Sequence, residues 1–246
     1  MFPGGPIPIE GEKPVSELLR LVENEVQIAA LVFLAVVYTA RLIWLFRFRS
    51  RKERTMAAGR EAEGIGYSLM NVAMPWAMES TRKKPGFYAQ FVVFHLGIMA
   101  AIAATFIIPY APAVFENRAV VLLFQVVLTA AFLVGLIRLF RRLTNPVVRL
   151  VSSADDFLSL ILMILFFGAG VLAVPNRYDL AEWPLLLFFG LTAFFLIYVP
   201  FSKISHYLYY PFTRYFLGRT LGHRGALPPR RGAAAADAAR AGERRA

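Results

Sequence analysis

Five apolar runs, each long enough to cross a bilayer, constrain this chain more than any other feature. They cover about Val26 to Phe46, Phe87 to Tyr110, Ala119 to Phe140, Phe157 to Val174 and Trp183 to Leu208. At about 1.5 Å of rise per residue, roughly 20 apolar residues span the hydrocarbon. In lipid the backbone must satisfy its own hydrogen bonds, so only helices and closed barrels cross. The runs are too long and too uniformly apolar for the alternation of barrel strands. The sequence therefore predicts an all-α integral membrane protein, a five-transmembrane-helix bundle. Composition agrees: hydrophobic residues fill 58% of 246 positions, charged residues 17%, and mean hydropathy is +0.55.

The net charge of +11 is distributed by side. The 47–89 loop holds nine Lys/Arg, the turn from Arg138 through 156 holds four, and the tail from Lys203 holds nine. Residues 1–25 hold two, and the 111–118 and 175–182 turns one each. Under the positive-inside rule the N-terminus lies outside and the C-terminus inside, in the cytoplasmic membrane of a prokaryotic cell. Arg41, late in the first run, can snorkel to the inner interface. An anionic membrane surface accounts for the excess charge, and nucleic-acid binding is not expected. The first 25 residues carry five Glu against Lys13 and Arg20, the reverse of a cleavable signal's basic start, so the first run reads as a retained span. The absence of cysteine excludes disulfides, Cys-ligated iron–sulfur clusters and covalent c-type haem in this chain.

Three regions follow. Residues 1–25 form an outer leader, extended over its Pro/Gly-rich first 14 positions, with a helix beginning in 15–26 and running on into the first span. Residues 26–210 form the membrane domain, including the loop 47–89, in which Tyr67 to Met78 reads as an interfacial helix with Pro75-Trp76 near headgroup level. Residues 211–246 form a basic inner tail, disordered from about 225. There is no internal repeat, and no span interior carries the acidic chain of a proton pump.

Two of the three histidines, His95 and His206, lie on or at the end of apolar runs. An ionisable side chain in a span marks a functional site, because leaving it unpartnered costs several kcal/mol. With the topology above, His95 lies about eight residues, roughly 12 Å, from the inner end of the second span. His206 lies near the inner end of the fifth. Two imidazoles on one side of the membrane fit the axial ligands of one b-type haem. Gly97 with Ala100, Ala101, Ala103 and Ala104 leaves room for a macrocycle or another helix. Arg82, Lys83, Lys84, Lys203 and Arg214 are cations for its propionates. The other reading makes His95 a polar interhelical contact and His206 a headgroup-level residue. His223 lies past the last span and reads as solvated or partner-facing.

Val93-Phe94-His95-Leu96-Gly97 and Pro200-Phe201-Ser202-Lys203-Ile204-Ser205-His206, in a five-span layout with the N-terminus outside, resemble the gamma subunit of respiratory nitrate reductase and the wider group of similar membrane cytochromes. The resemblance covers roughly residues 26–224. It implies a b-type cytochrome subunit that exchanges electrons with quinone and with extrinsic iron–sulfur or multihaem subunits. Members of the nitrate reductase type carry two haems. The offsets of their outer ligands fall here on Thr105 and Phe188, neither a histidine, which implies one inner haem. Asp155 and Asp156 are candidates to hold quinone or take its protons; helix capping is the alternative reading of the same pair. The expected function is quinone-linked electron transfer through one haem held by His95 and His206. The rival is a haem-free membrane anchor or assembly subunit.

Overall fold

The structure, a computed structural model, describes residues 15–47, 53–74 and 82–229. Among the described residues every regular element is helical. The helices are α1 (Glu17–Arg20), α2 (Val26–Arg47), α3 (Glu61–Ala73), α4 (Pro85–Tyr110), α5 (Arg118–Thr144), α6 (Pro146–Leu150), α7 (Ala154–Ala173), α8 (Trp183–Tyr198) and α9 (His206–His223). Five stretches are long and apolar enough to cross a membrane: Glu17–Arg47, Pro85–Tyr110, Arg118–Thr144, Ala154–Ala173 and Trp183–Phe201. They point to a multi-pass membrane protein. The leader's first 14 residues, Pro75-Trp76 and the tail from 230 lie outside the described residues.

The chain divides into two compact units, Met1–Leu45 with Tyr88–Ile204, and Phe46–Phe87 with Ser205–Ala246. The first holds the spans. Helix α1 begins at Ser16, whose hydroxyl accepts from the Leu19 amide at 3.1 Å, and continues through a π-helical turn, Leu21–Glu25, into α2. So the helix expected in 15–26 does run into the first span, but with a wide turn in it. Next to that turn the Gln27 side chain donates to the Phe189 carbonyl at 2.8 Å, a buried bond that ties α2 to α8. Most other apolar side chains of α2 are exposed, as a lipid-facing helix requires.

Between α4, α5 and α7 the packing is set by small residues. A Cβ at Gly97 would collide with Ala131, and one at Gly135 would sit 2.7 Å from Ile164 Cγ1. Close approach of backbones replaces the hydrophobic drive that lipid removes. The core beside them is aromatic. Phe166 stacks on Phe188 at 5.1 Å with planes 4° apart, and Phe94 meets Phe167 edge-on at 5.1 Å.

The fifth span ends earlier than the sequence predicts. Its apolar run continues to Leu208, but the helix gives way to a 3-10 turn at Val199–Phe201, and Ser202 is extended (φ −104°, ψ 170°). Pro200 cannot donate to the helical ladder, and the Ser202 hydroxyl turns back to the Val199 carbonyl at 3.1 Å. A second 3-10 turn, Lys203–Ser205, then leads into α9.

The second unit pairs the loop with the tail. Helix α3 packs along α9 through glycines. A Cβ at Gly218 would stand 2.6 Å from the Gly64 carbonyl oxygen, and one at Gly222 2.8 Å from that of Arg60. Ser68 donates to the Arg214 carbonyl at 2.7 Å, and Arg214 Nε returns a bond to the Ser68 carbonyl at 3.0 Å. The middle of the loop is thus a helix starting at Glu61, with an internal partner. Residues 53–60 are held to the end of α9, where the Ala58 and Gly59 amides donate to the His223 carbonyl at 2.8 and 3.1 Å. Glu53 pairs with Arg224 at 2.8 Å, and that guanidinium holds its carboxyl below the usual carboxylate range.

A depressed carboxylate pKa contributes stability that is full above the unfolded value, about 4.3, and lost as pH falls through the folded one. Amide protection at Ala58 and Gly59 should therefore hold from neutral pH to about 5 and then fall below about 4. Glu53→Gln should show the low value throughout. Equal protection in the variant and the native chain at neutral pH would show that the pair contributes nothing there.

Candidate functional site

His95 lies about three turns into α4, in the first unit. Its Nδ1 is 2.8 Å from the Phe91 carbonyl oxygen, one turn back. A carbonyl only accepts, so Nδ1 carries a proton, and the tautomer with that proton has its lone pair on Nε2. Nε2 has no partner among the described residues. The Phe91 ring lies against the imidazole at 4.0 Å and limits its rotation. This is how a ligating histidine is oriented, with one nitrogen tied to backbone and the other free.

The small residues do not lie on the same side. Phe94, Gly97, Ala101, Ala104 and Ile108 form the buried stripe of α4. At 100° per residue His95 points well away from it, toward the half of the helix where Phe91, Met99, Ile102 and Phe106 are exposed. Gly97 therefore makes room for Ala131 and Phe167, the second of the two uses its sequence allows. Any flat ligand at His95 would lie on the outward face, among the apolar side chains of Phe91, Met99, Ile102 and Phe106.

His206 belongs to the second unit, as the first residue of α9, and is exposed. The two expected ligands thus fall in separate compact units. His223 is not solvated. Its ring is packed at the end of α9, with Nδ1 3.2 Å from Glu61 Oε1 and Nε2 2.8 Å from the Thr55 carbonyl. Both nitrogens are engaged inside the unit, which corrects the expectation of a solvent- or partner-facing ring.

Of the cations expected to face propionates, Arg82, Lys83 and Lys84 are exposed at the start of the second span. Lys203 and Arg214 already have internal partners. Lys203 Nζ is 2.7 Å from Asp156 and 2.8 Å from the Ser153 hydroxyl, and Arg214 is bound to Ser68. The same contacts bear out the capping reading of the acidic pair. Asp156 accepts from the Ser153 amide at 2.8 Å and closes a capping box on α7. Asp155 accepts from the Tyr198 hydroxyl and, at 3.0 Å, from the Lys203 amide, which joins the start of α7 to the end of the fifth span. Tyr198 also meets the Ser159 hydroxyl at 3.0 Å. Both carboxylates therefore cap and clamp. Tyr198 was hidden in an apolar run, and only its distance of 43 residues from Asp155 kept the pair from being read.

At the two positions where a second ligand pair would fall, Thr105 donates to the Ala101 carbonyl at 3.0 Å and Phe188 is fully buried. Phe106, beside Thr105, is exposed. Among the described residues no three His, Cys, Asp or Glu come together as a metal-binding group; two imidazoles would not meet that count. No protein-family model matches the chain, and no curated protein matches it as a relative.

Proposed function

We propose that this chain is the membrane b-type cytochrome subunit of a respiratory complex, passing electrons between a quinone pool and extrinsic redox subunits through one haem. The observation that carries the reading is His95, an imidazole set in an apolar span with its tautomer fixed by Phe91 and its Nε2 open. Haem would supply the one-electron couple. The chain's own part is to present Nε2, to restrain the ring through Phe91 and to surround the group with apolar side chains that keep water away. His206 is the second ligand in this reading, delivered from the start of α9. Reduced-minus-oxidised visible spectra of the purified protein test it. A flat difference spectrum from protein purified under haem-replete growth would refute it.

The stacked pair Phe166 and Phe188 supports a single site, since the place where a second ligand would stand is filled by rings. A pyridine haemochrome assay should return one haem per chain; a value near two would require ligands other than histidine. The charge pattern supports an outside N-terminus and an inside C-terminus. A C-terminal reporter should be active only in the cytoplasm, and activity on the other side would reverse the orientation and the placement of partners.

One observation favours the rival, a haem-free anchor. The second unit's residues include 17 Lys/Arg and six Asp/Glu, whereas the first has ten of each. The whole net charge therefore sits in the helix pair and its flanking segments, as a docking module for an acidic surface would have it. The difference spectrum separates the two readings.

A further inference from the structure

We infer that Arg138 is an anion-binding residue, the seat for a carboxylate or phosphate group of a membrane-embedded ligand. Arg138 lies in α5, six residues before the helix ends, in an otherwise apolar stretch from Val126. It is half-buried, and its guanidinium stands over the Phe94 ring at 5.2 Å. Among the described residues it has no carboxylate partner. The charges that act on it, Arg141 and Arg142, are both cations. Asp156, at the start of α7, is taken by Lys203 at 2.7 Å and approached by Arg142 at 3.8 Å. A cation in a span that is crowded by like charges and left without a counter-ion costs free energy unless something neutralises it.

The geometry indicates the class of ligand. Phe94 offers the guanidinium only its ring, so the N–H groups still call for oxygen acceptors. A guanidinium's N–H fork matches the two oxygens of a carboxylate or phosphate. Phe94 immediately precedes His95, and their rings lie 6.4 Å apart. Two sources fit this chemistry. One is a carboxylate substituent of a macrocycle held at His95, which rests on the cytochrome reading. The other is the phosphate of an anionic phospholipid, which does not.

The full chain, native and as Arg138→Gln and Arg138→Lys, is placed in nanodiscs of phosphatidylcholine with and without phosphatidylglycerol. Haem is read by pyridine haemochrome and bound phosphatidylglycerol by native mass spectrometry. Loss of a charged hydrogen-bond pair should lower retention about tenfold in Arg138→Gln, with part of it recovered in Arg138→Lys. A fall in haem alone identifies the carboxylate, and a fall in phosphatidylglycerol alone identifies the phosphate. Native protein without haem would refute the cytochrome reading only, and the lipid arm would still decide for Arg138. The anion site is overturned if neither ligand changes in Arg138→Gln, or if Arg138→Lys loses as much as Arg138→Gln.

Discussion

His95→Ala should bring haem content to background while the protein remains folded and monodisperse. Phe91 and Phe94 are the rings beside the imidazole and cannot ligate iron, and α4 carries no other histidine that could replace it. Removing it leaves an open coordination position and a cavity the size of the ring. Exogenous imidazole should fill that cavity and restore part of the spectrum, which a global folding defect would not allow. His206→Ala should behave in the same way. His223→Ala should keep its haem, because both nitrogens of that ring are already bonded to Glu61 and Thr55. Full b-type absorbance in the His95 variant would end the ligand assignment. A loss in all three variants would mean that haem retention follows the stability of the helix pair instead.

The spans were legible because hydropathy is local. Each 20-residue stretch declares itself without reference to its neighbours, and four of the five runs end within a few residues of where their helices end. The fifth run failed at Ser202 for a physical reason. Apolar composition continues through Tyr207 and Leu208, while Pro200 and the hydroxyl of Ser202 break the backbone. Hydropathy cannot register that break. The direction His95 faces was also open to reading, since Gly97 and Ala101 repeat at helical spacing and His95 is off their stripe. Small residues near a candidate ligand invite the idea of a pocket, whereas in apolar spans they more commonly seat another helix. The partners of Asp155 and His223 were not legible, because each bond joins residues more than 40 positions apart. The pairing of α3 with α9 did leave a signal. Gly218 and Gly222 have the four-residue spacing of close helix contacts, and Gly59 and Gly64 answer them from the loop.

That spacing leads to the largest structural effect expected of a single substitution. Gly218→Leu should separate α3 from α9. A Cβ at 218 would stand 2.6 Å from the Gly64 oxygen and 2.7 Å from Ile65 Cα, which are backbone atoms of a helix and cannot rotate aside. The helices must move apart, and with them go the two bonds between Ser68 and Arg214. Overpacking of this kind costs about 1–3 kcal/mol, and each lost hydrogen bond adds about 1 kcal/mol, enough together to open a small helix pair. Limited proteolysis should then cut within 53–74 and 206–229 while the five spans stay protected by lipid or detergent. Gly66→Leu is the control: it introduces the same side chain on α3, and nothing stands within 4 Å of the new Cβ. That variant should resist cleavage like the native chain, since leucine also favours helix over glycine. If Gly218→Leu is as resistant as Gly66→Leu, the glycine contact is not what joins the loop to the tail. If only Gly218→Leu is cut and its haem is retained, coordination at His206 does not depend on the pairing of α9 with α3.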